Sequence, residues 1–208
     1  MNKFFIAILM VLTINTGHAN EKISGLKMPE SVAEGSDGSI YISEIGERDK
    51  DKDGKITKID KNGNRSTLAD GLYDPKGIVF YKEKLYVTDR DVVLEVNTDG
   101  SWGVYTGTMA FPKTPVFLND IDVSSNGDLY VTDTGDFVSS GLVFLIKKSG
   151  DVSVIFEGNK NIKAPNGILP IADSKLLIVD WAGDLLEGDL ITNEIKRIAE
   201  GFDGGEER

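Results

Sequence analysis

The sequence predicts an all-β chain, a β-propeller of four-stranded antiparallel blades with about four blades and the start of a fifth. Three observations carry that expectation. A short β-branched and aromatic phrase recurs four times at a nearly constant interval. Each recurrence sits among three further strand-like runs set off by turn residues. Beyond the amino-terminal segment, no stretch sustains the 3.6-residue apolar period of a helix.

The recurring phrase is Asp37-Gly-Ser-Ile-Tyr-Ile-Ser-Glu44, then Lys82-Glu-Lys-Leu-Tyr-Val-Thr-Asp89, Asn126-Gly-Asp-Leu-Tyr-Val-Thr-Asp133 and Asp173-Ser-Lys-Leu-Leu-Ile-Val-Asp180. Its acidic ends lie 45, 44 and 47 residues apart. Each phrase is preceded by a run opened by Pro29-Glu-Ser-Val32, Pro75-Lys-Gly-Ile78, Leu118-Asn-Asp-Ile121 or Pro165-Asn-Gly-Ile168. Each is followed by a third run (Lys55-Ile-Thr-Lys-Ile59, Val92-Val-Leu-Glu-Val96, Leu142-Val-Phe-Leu-Ile146 and, less regularly, residues 185–191). A turn such as Asp60-Lys-Asn-Gly63 or Asn97-Thr-Asp-Gly100 then leads to a fourth. One four-stranded unit cannot bury both of its faces, so units of this period stack around a channel. The blades are expected at about 28–71, 72–116, 117–163 and 164–201, with 202–208 opening a fifth. Such a chain reads as a shortened version of a longer propeller. Its open blade edges either close on each other or offer a route to self-association.

Composition narrows the chemistry. The chain carries 23 Lys and Arg against 34 Asp and Glu, a net charge of −11, which argues against binding nucleic acid through phosphate. There is no Cys, which removes disulfides, thiolate metal sites and cysteine nucleophiles. The one His is His18, inside a segment that reads as a bacterial-type secretory signal over residues 1–19. Lys3 supplies the positive start, residues 4–12 the apolar run, and Gly17-His-Ala19 the cleavage site. The expected mature domain, residues 20–208, is therefore secreted or periplasmic, with no membrane insertion after cleavage. Without His or Cys, its chemistry falls to carboxylates, amides, hydroxyls, Lys and hard metal ions.

The repeat identifies equivalent positions. The second residue of each opening phrase is Glu30, Lys76, Asn119 and Asn166 in turn, and innermost strands line the channel, so these side chains are expected to converge at one end of it. Asp203 offers a fifth position at a shorter interval. Carboxylate and amide oxygens without imidazole or thiolate suit Ca²⁺ or another hard divalent cation. Taken singly, Asn119 and Asn166 also read as turn residues, and Lys76 as a solvated rim residue or a stabiliser of negative charge. Asp89, Asp133 and Asp180, which end the recurring phrase, read as structural acceptors for nearby turns.

On Glu30, Asn119-Asp120 and Pro165-Asn166-Gly167, and on the repeat itself over about residues 28–204, the chain resembles the gluconolactonase / senescence-marker (regucalcin) family of six-bladed, calcium-dependent lactonases. The resemblance implies that Glu30, Asn166 and Asp203 hold the cation, that Asp203 also activates water, and that Asn119 faces the substrate. Members often carry Arg-Pro before the Asn-Asp pair, the Arg helping to hold a sugar lactone; here Phe117-Leu118 stand there. The expected function is calcium-dependent hydrolysis of a small-molecule lactone or related ester. The alternatives are a non-catalytic propeller that binds a protein or small ligand, and an inactive truncated paralogue. Separately, Asp49, Asp51, Asp53, Gly54 and Asp60 match the D-x-D-x-D-G calcium loop, which would make a calcium-stapled hairpin in the first blade.

Overall fold

The computed structural model describes residues 22–47, 50–158 and 162–202. The expected signal segment, Asp49, Asp203 and the rest of a fifth blade lie outside the described residues. Blade 1 holds β1 (Pro29–Glu34), β2 (Ile40–Glu44), β3 (Gly54–Ile59) and β4 (Arg65–Leu72). Blade 2 holds β5 (Pro75–Tyr81), β6 (Lys84–Asp89), β7 (Val92–Asn97) and β8 (Trp102–Thr106). Blade 3 holds β9 (Leu118–Val123), β10 (Leu129–Asp133), β11 (Leu142–Ile146) and β12 (Val152–Glu157). Blade 4 holds β13 (Pro165–Ala172), β14 (Lys175–Asp180), β15 (Asp184–Asp189) and β16 (Glu194–Ala199). Within each blade the strands pair antiparallel in chain order, so one sequence period is one sheet and the fold is a β-propeller. Among the described residues the only helical turn is a short 3₁₀ segment, Thr108–Ala110, and no helix is long and apolar enough to cross a membrane.

The strands form because Val, Ile, Leu, Tyr and Phe alternate between blade faces, and tight turns return the chain. The turn after β7 ends at Gly100, whose φ of 88° suits glycine and whose Cβ position would lie 2.2 Å from the Leu68 carbonyl oxygen. The core lies between blades rather than within them. One cluster joins Tyr41, Ile56 and Leu72 of blade 1 to Leu85, Val87 and Leu94 of blade 2. A second packs Val93 of blade 2 against Leu118, Val131 and Phe144 of blade 3. A third packs Tyr130, Val143 and Phe156 of blade 3 against Ile168, Leu176 and Ile178 of blade 4. Each cluster buries the face that a lone blade would expose, which is the main stabilising term of a stacked-blade fold.

Inner strands β1, β5, β9 and β13 stand side by side in that order. They line a channel cavity of about 310 Å³ that includes Ser31, Val32, Asp120, Asp122 and Ile168. Among the described residues, the outward face of blade 1 shares an apolar hollow with Ile23 and Leu26, where Ile42 is buried and Val32 is 63% exposed, and on the outward face of blade 4 Val179 is 46% exposed.

Candidate functional site

The residues the repeat singled out occupy one structural position. In every blade the residue that opens the inner strand pairs with the acid that ends the second strand: Pro29 with Glu44, Pro75 with Asp89, Leu118 with Asp133, Pro165 with Asp180. The next regular pairs are Val32 with Ile42, Ile78 with Val87, Ile121 with Val131, and Ile168 with Ile178. Two residues of the inner strand therefore face one residue of its partner, a β-bulge, and in each blade the bulge begins at Glu30, Lys76, Asn119 or Asn166. A bulge re-aims side chains out of the regular pleat, which is how a strand rim presents groups to a ligand.

Two kinds of clamp hold the bulges in place. The acid at the end of the second strand accepts hydrogen bonds from the segment leading into the inner strand. Asp133 accepts from the N–H groups of Val116 (2.9 Å), Phe117 (2.7 Å) and Gly135 (3.0 Å). Asp180 accepts from Lys163 (2.8 Å), Ala164 (3.0 Å) and Ala182 (2.9 Å). Asp89 accepts from Tyr73 and Asp74, and Glu44 from Lys27. The structural role expected of Asp89, Asp133 and Asp180 is the one they play. The second clamp is the hydroxyl opposite the bulge. Ser43, Thr88 and Thr132 donate to the carbonyls of Lys76, Asn119 and Asn166 in the following blade, at 2.5–2.6 Å. The Thr132 hydroxyl also accepts from the Asp120 N–H at 2.9 Å. At the equivalent position blade 4 has Val179, which cannot donate.

The side chains at the four bulges differ in engagement. Asn119, 5% exposed, donates from Nδ2 to Thr134 Oγ1 (3.1 Å), and that hydroxyl donates to the Pro165 carbonyl (2.9 Å). Among the described residues, Asn119 Oδ1, the Asn166 amide and the Glu30 carboxylate have no hydrogen-bond or ion-pair partner. Partial desolvation raises the Glu30 pKa; the Lys76 charge opposes that rise and the Asp74 charge adds to it. Lys76 is not a solvated rim residue. It is 3% exposed, ion-paired to Asp74, with its Nζ 4.3 Å from the centre of the Phe117 ring. A buried ammonium needs such partners because desolvation without them is costly.

Asp120, the second residue of its bulge, is the group that sequence reading passed over as a site residue. Its Oδ2 accepts from the Ile168 N–H of blade 4 and its Oδ1 from the Ile121 N–H, both at 2.9 Å, so it bridges two inner strands inside the channel. Burial pushes its pKa up to about 6 against those two hydrogen bonds, and the charges of Asp122 and Glu30 push it the same way. The available signal was its place directly after Asn119 in the bulge, but no other blade has an acid there.

Of the expected calcium loop at residues 49–60, the described acids Asp51, Asp53 and Asp60 are not gathered into one cage. Asp51 is ion-paired with Arg90. Asp53 accepts from the Glu47 N–H (3.0 Å), while its Oδ1 is buried without a partner. Asp60 lies beyond the far end of β3, where its carboxylate accepts from Asn62 and Asn64 and closes the next turn. The strand β3 runs from Gly54 to Ile59 between Asp53 and Asp60, so the acid at position 12 does not fold back onto those at positions 3 and 5. Among the described residues no group of three His, Cys, Asp or Glu side chains is placed to hold a metal.

Above the bulges opens a second hollow, about 550 Å³, reached from the same end and walled in part by Met28, Tyr73, Lys76, Phe117, Phe137 and Trp181. The Trp181 backbone is tied to this end by its main-chain N–H, which donates to the Ala164 carbonyl (2.8 Å).

No family model matches the chain, and no curated protein matches its sequence. Solved structures do share its fold. One is a gluconolactonase from Xanthomonas campestris described as important in glucose secondary metabolic pathways: 13% identity, TM-score 0.69, covering 85% of this chain and 64% of that one. Another is a structural-genomics protein named as a candidate gluconolactonase: 15% identity, TM-score 0.55, covering 74% of this chain and 55% of that one. A third is a protein of unknown function from Bacteroides thetaiotaomicron: 14% identity, TM-score 0.62, covering 83% of this chain and 48% of that one. At such identities the likeness is one of fold, and the chain spans less than two thirds of each of these relatives.

Proposed function

We propose that the chain is a lactonase-type hydrolase of the gluconolactonase kind, acting on small lactones or related esters with Ca²⁺ or another hard divalent cation at the end of the channel where the bulges lie. The observation that carries the reading is the repeated bulge. It sets Glu30, Asn119 and Asn166 at equivalent positions of blades 1, 3 and 4, with oxygen atoms that no described neighbour occupies. That donor set, carboxylate and amide oxygen without imidazole or thiolate, fits a hard cation, and the negative charge gathered by Glu30, Asp120 and Asp122 favours one. In this reading Glu30 and Asn166, with Asp203, hold the cation, which when bound polarises the substrate carbonyl and stabilises charge developing on its oxygen. Asn119, its amide pinned by Thr134, orients the carbonyl. Asp203 takes the proton from the attacking water. Asp120 holds β9 to β13 beneath the site and adds negative charge beside Glu30. On the strength of residues 1–19, the reaction belongs outside the cytoplasm.

The test is calorimetric titration of the full chain with CaCl₂, paired with turnover of a lactone panel with and without chelator. Glu30→Gln is expected to abolish the heat of Ca²⁺ binding and to cut turnover at least a hundredfold, with the melting temperature of the metal-free protein unchanged. A titration unaltered by Glu30→Gln, or turnover that survives chelation, overturns the assignment.

A further inference from the structure

We infer that the hollow above the bulges takes a flat apolar substituent, so that the preferred substrates are aryl or apolar lactones and esters rather than polyhydroxylated sugar lactones. This rests on the hydrolase reading above and goes beyond it. The hollow shares Lys76 with the ring of bulges and places Phe117 two residues before Asn119, so a substrate whose carbonyl sits at the bulges extends into it.

Three features of the wall set the preference. First, its charged groups pair with one another: Lys76 with Asp74, Arg90 with Asp51, and Lys50 with Glu47 at 3.5 Å. A sugar lactone brings several hydroxyls that lose water on binding and need new partners, and the charged groups of this wall already hold one another. Second, it carries an exposed aromatic run. Phe117 meets Phe137 edge-to-face at 4.9 Å between ring centres, and Phe137 meets Trp181 at 5.5 Å, a run that crosses from blade 3 to blade 4. Phe137 and Trp181 remain 41% and 40% exposed. Third, the presentation is strained. Met28, Arg90 and Phe137, all lining the hollow, hold left-handed backbone with φ of 48°, 61° and 62°. Bulky residues avoid that region unless surrounding structure imposes it, and such outliers gather at ligand sites. For Phe137 the imposing structure is the Asp136 carboxylate, which accepts from the Val138, Ser139 and Ser140 N–H groups at 2.8–3.0 Å. A rigid aromatic wall with internally paired charges favours a planar ring over a hydroxylated one.

The experiment compares dihydrocoumarin and phenyl acetate with glucono-1,5-lactone as substrates of the full chain in CaCl₂, alongside calorimetric binding of coumarin. The expected result is a kcat/KM at least tenfold higher for the aryl substrates. Trp181→Ala should raise KM for dihydrocoumarin about tenfold with kcat within twofold, and Trp181→Phe, which keeps a flat ring, should restore KM to within about threefold. Equal or better turnover of glucono-1,5-lactone, with KM for dihydrocoumarin insensitive to Trp181→Ala, overturns this inference and leaves the hydrolase reading standing. Coumarin binding that Trp181→Ala weakens, in a protein that turns over none of the three substrates, overturns the hydrolase reading and supports the aromatic site. Neither turnover nor coumarin binding overturns both.

Discussion

Asp120 shows how one side chain links folding to the site. Its carboxylate ties β9 to β13 through the Ile168 N–H, yet it lines the channel with Asp122, and burial pushes its pKa up to about 6. In the unfolded chain the same group titrates near the ordinary carboxylate value of 3.8. The folded state therefore binds the proton more tightly. Its stabilising contribution is fully present below about pH 4, declines as pH rises through about 6, and is level above that. In chelator-containing buffers, the melting temperature should fall over this window by an amount equivalent to ~2–3 kcal/mol. Asp120→Asn, which cannot ionise, should flatten that part of the profile; a slope unchanged by the substitution would assign it to other groups. Lys76 makes the complementary point: at the position where other blades carry Glu or Asn it supplies a cation, and Asp74 and the Phe117 ring make its burial tolerable.

At the scale of the element, the unit that matters is the bulged inner strand with its acid and hydroxyl clamps. The clamps explain why the recurring phrase ends in Ser-Glu or Thr-Asp in the first three blades: the acid fixes how the chain approaches the bulge, and the hydroxyl fixes the bulge of the next blade. Thr132→Val should strand the buried Asp120 N–H and leave the Asn166 carbonyl without its donor, costing ~1–3 kcal/mol in urea unfolding. Val179→Thr, a matching exchange on the uncovered face of blade 4, should change stability by less than ~0.5 kcal/mol. Equal effects at the two positions would mean that the hydroxyl clamp carries no special weight.

At the scale of the whole molecule, three inter-blade cores join four blades, and the inner strands run as an arc from β1 to β13. Their approach is close at Gly77, where a Cβ would lie 2.6 Å from Asp120 Cα and 2.7 Å from both the Asn119 carbonyl oxygen and the Ile121 nitrogen. These are backbone atoms that cannot rotate away. Gly77→Ala should force β5 from β9, lower stability by ~2–3 kcal/mol and weaken Ca²⁺ binding, because the Asn119 bulge shifts with the strand. Retained stability with unchanged Ca²⁺ affinity would show that the arc yields there without cost.

Much of this architecture was legible in the chain because a repeated sheet writes its period into the sequence. The Leu-Tyr-Val-Thr-Asp phrases of blades 2 and 3 mark second strands, the Asx-rich, Gly-terminated turns mark reversals, and equal phase marks equal position, which is why the sequence sets Glu30, Asn119 and Asn166 at one rung. Local hydrogen bonding and side-chain alternation act between near neighbours, so sequence records them. Tertiary structure alone decided what depends on contacts between blades. It buried Lys76, carried Asp120 across to blade 4, sent Asp60 away from Asp51 and Asp53, and set Phe117, Phe137 and Trp181 along one wall. Burial, ion pairing and ring contact between residues tens of positions apart follow from how blades stack, and a period read along one strand holds no record of the distance to the next.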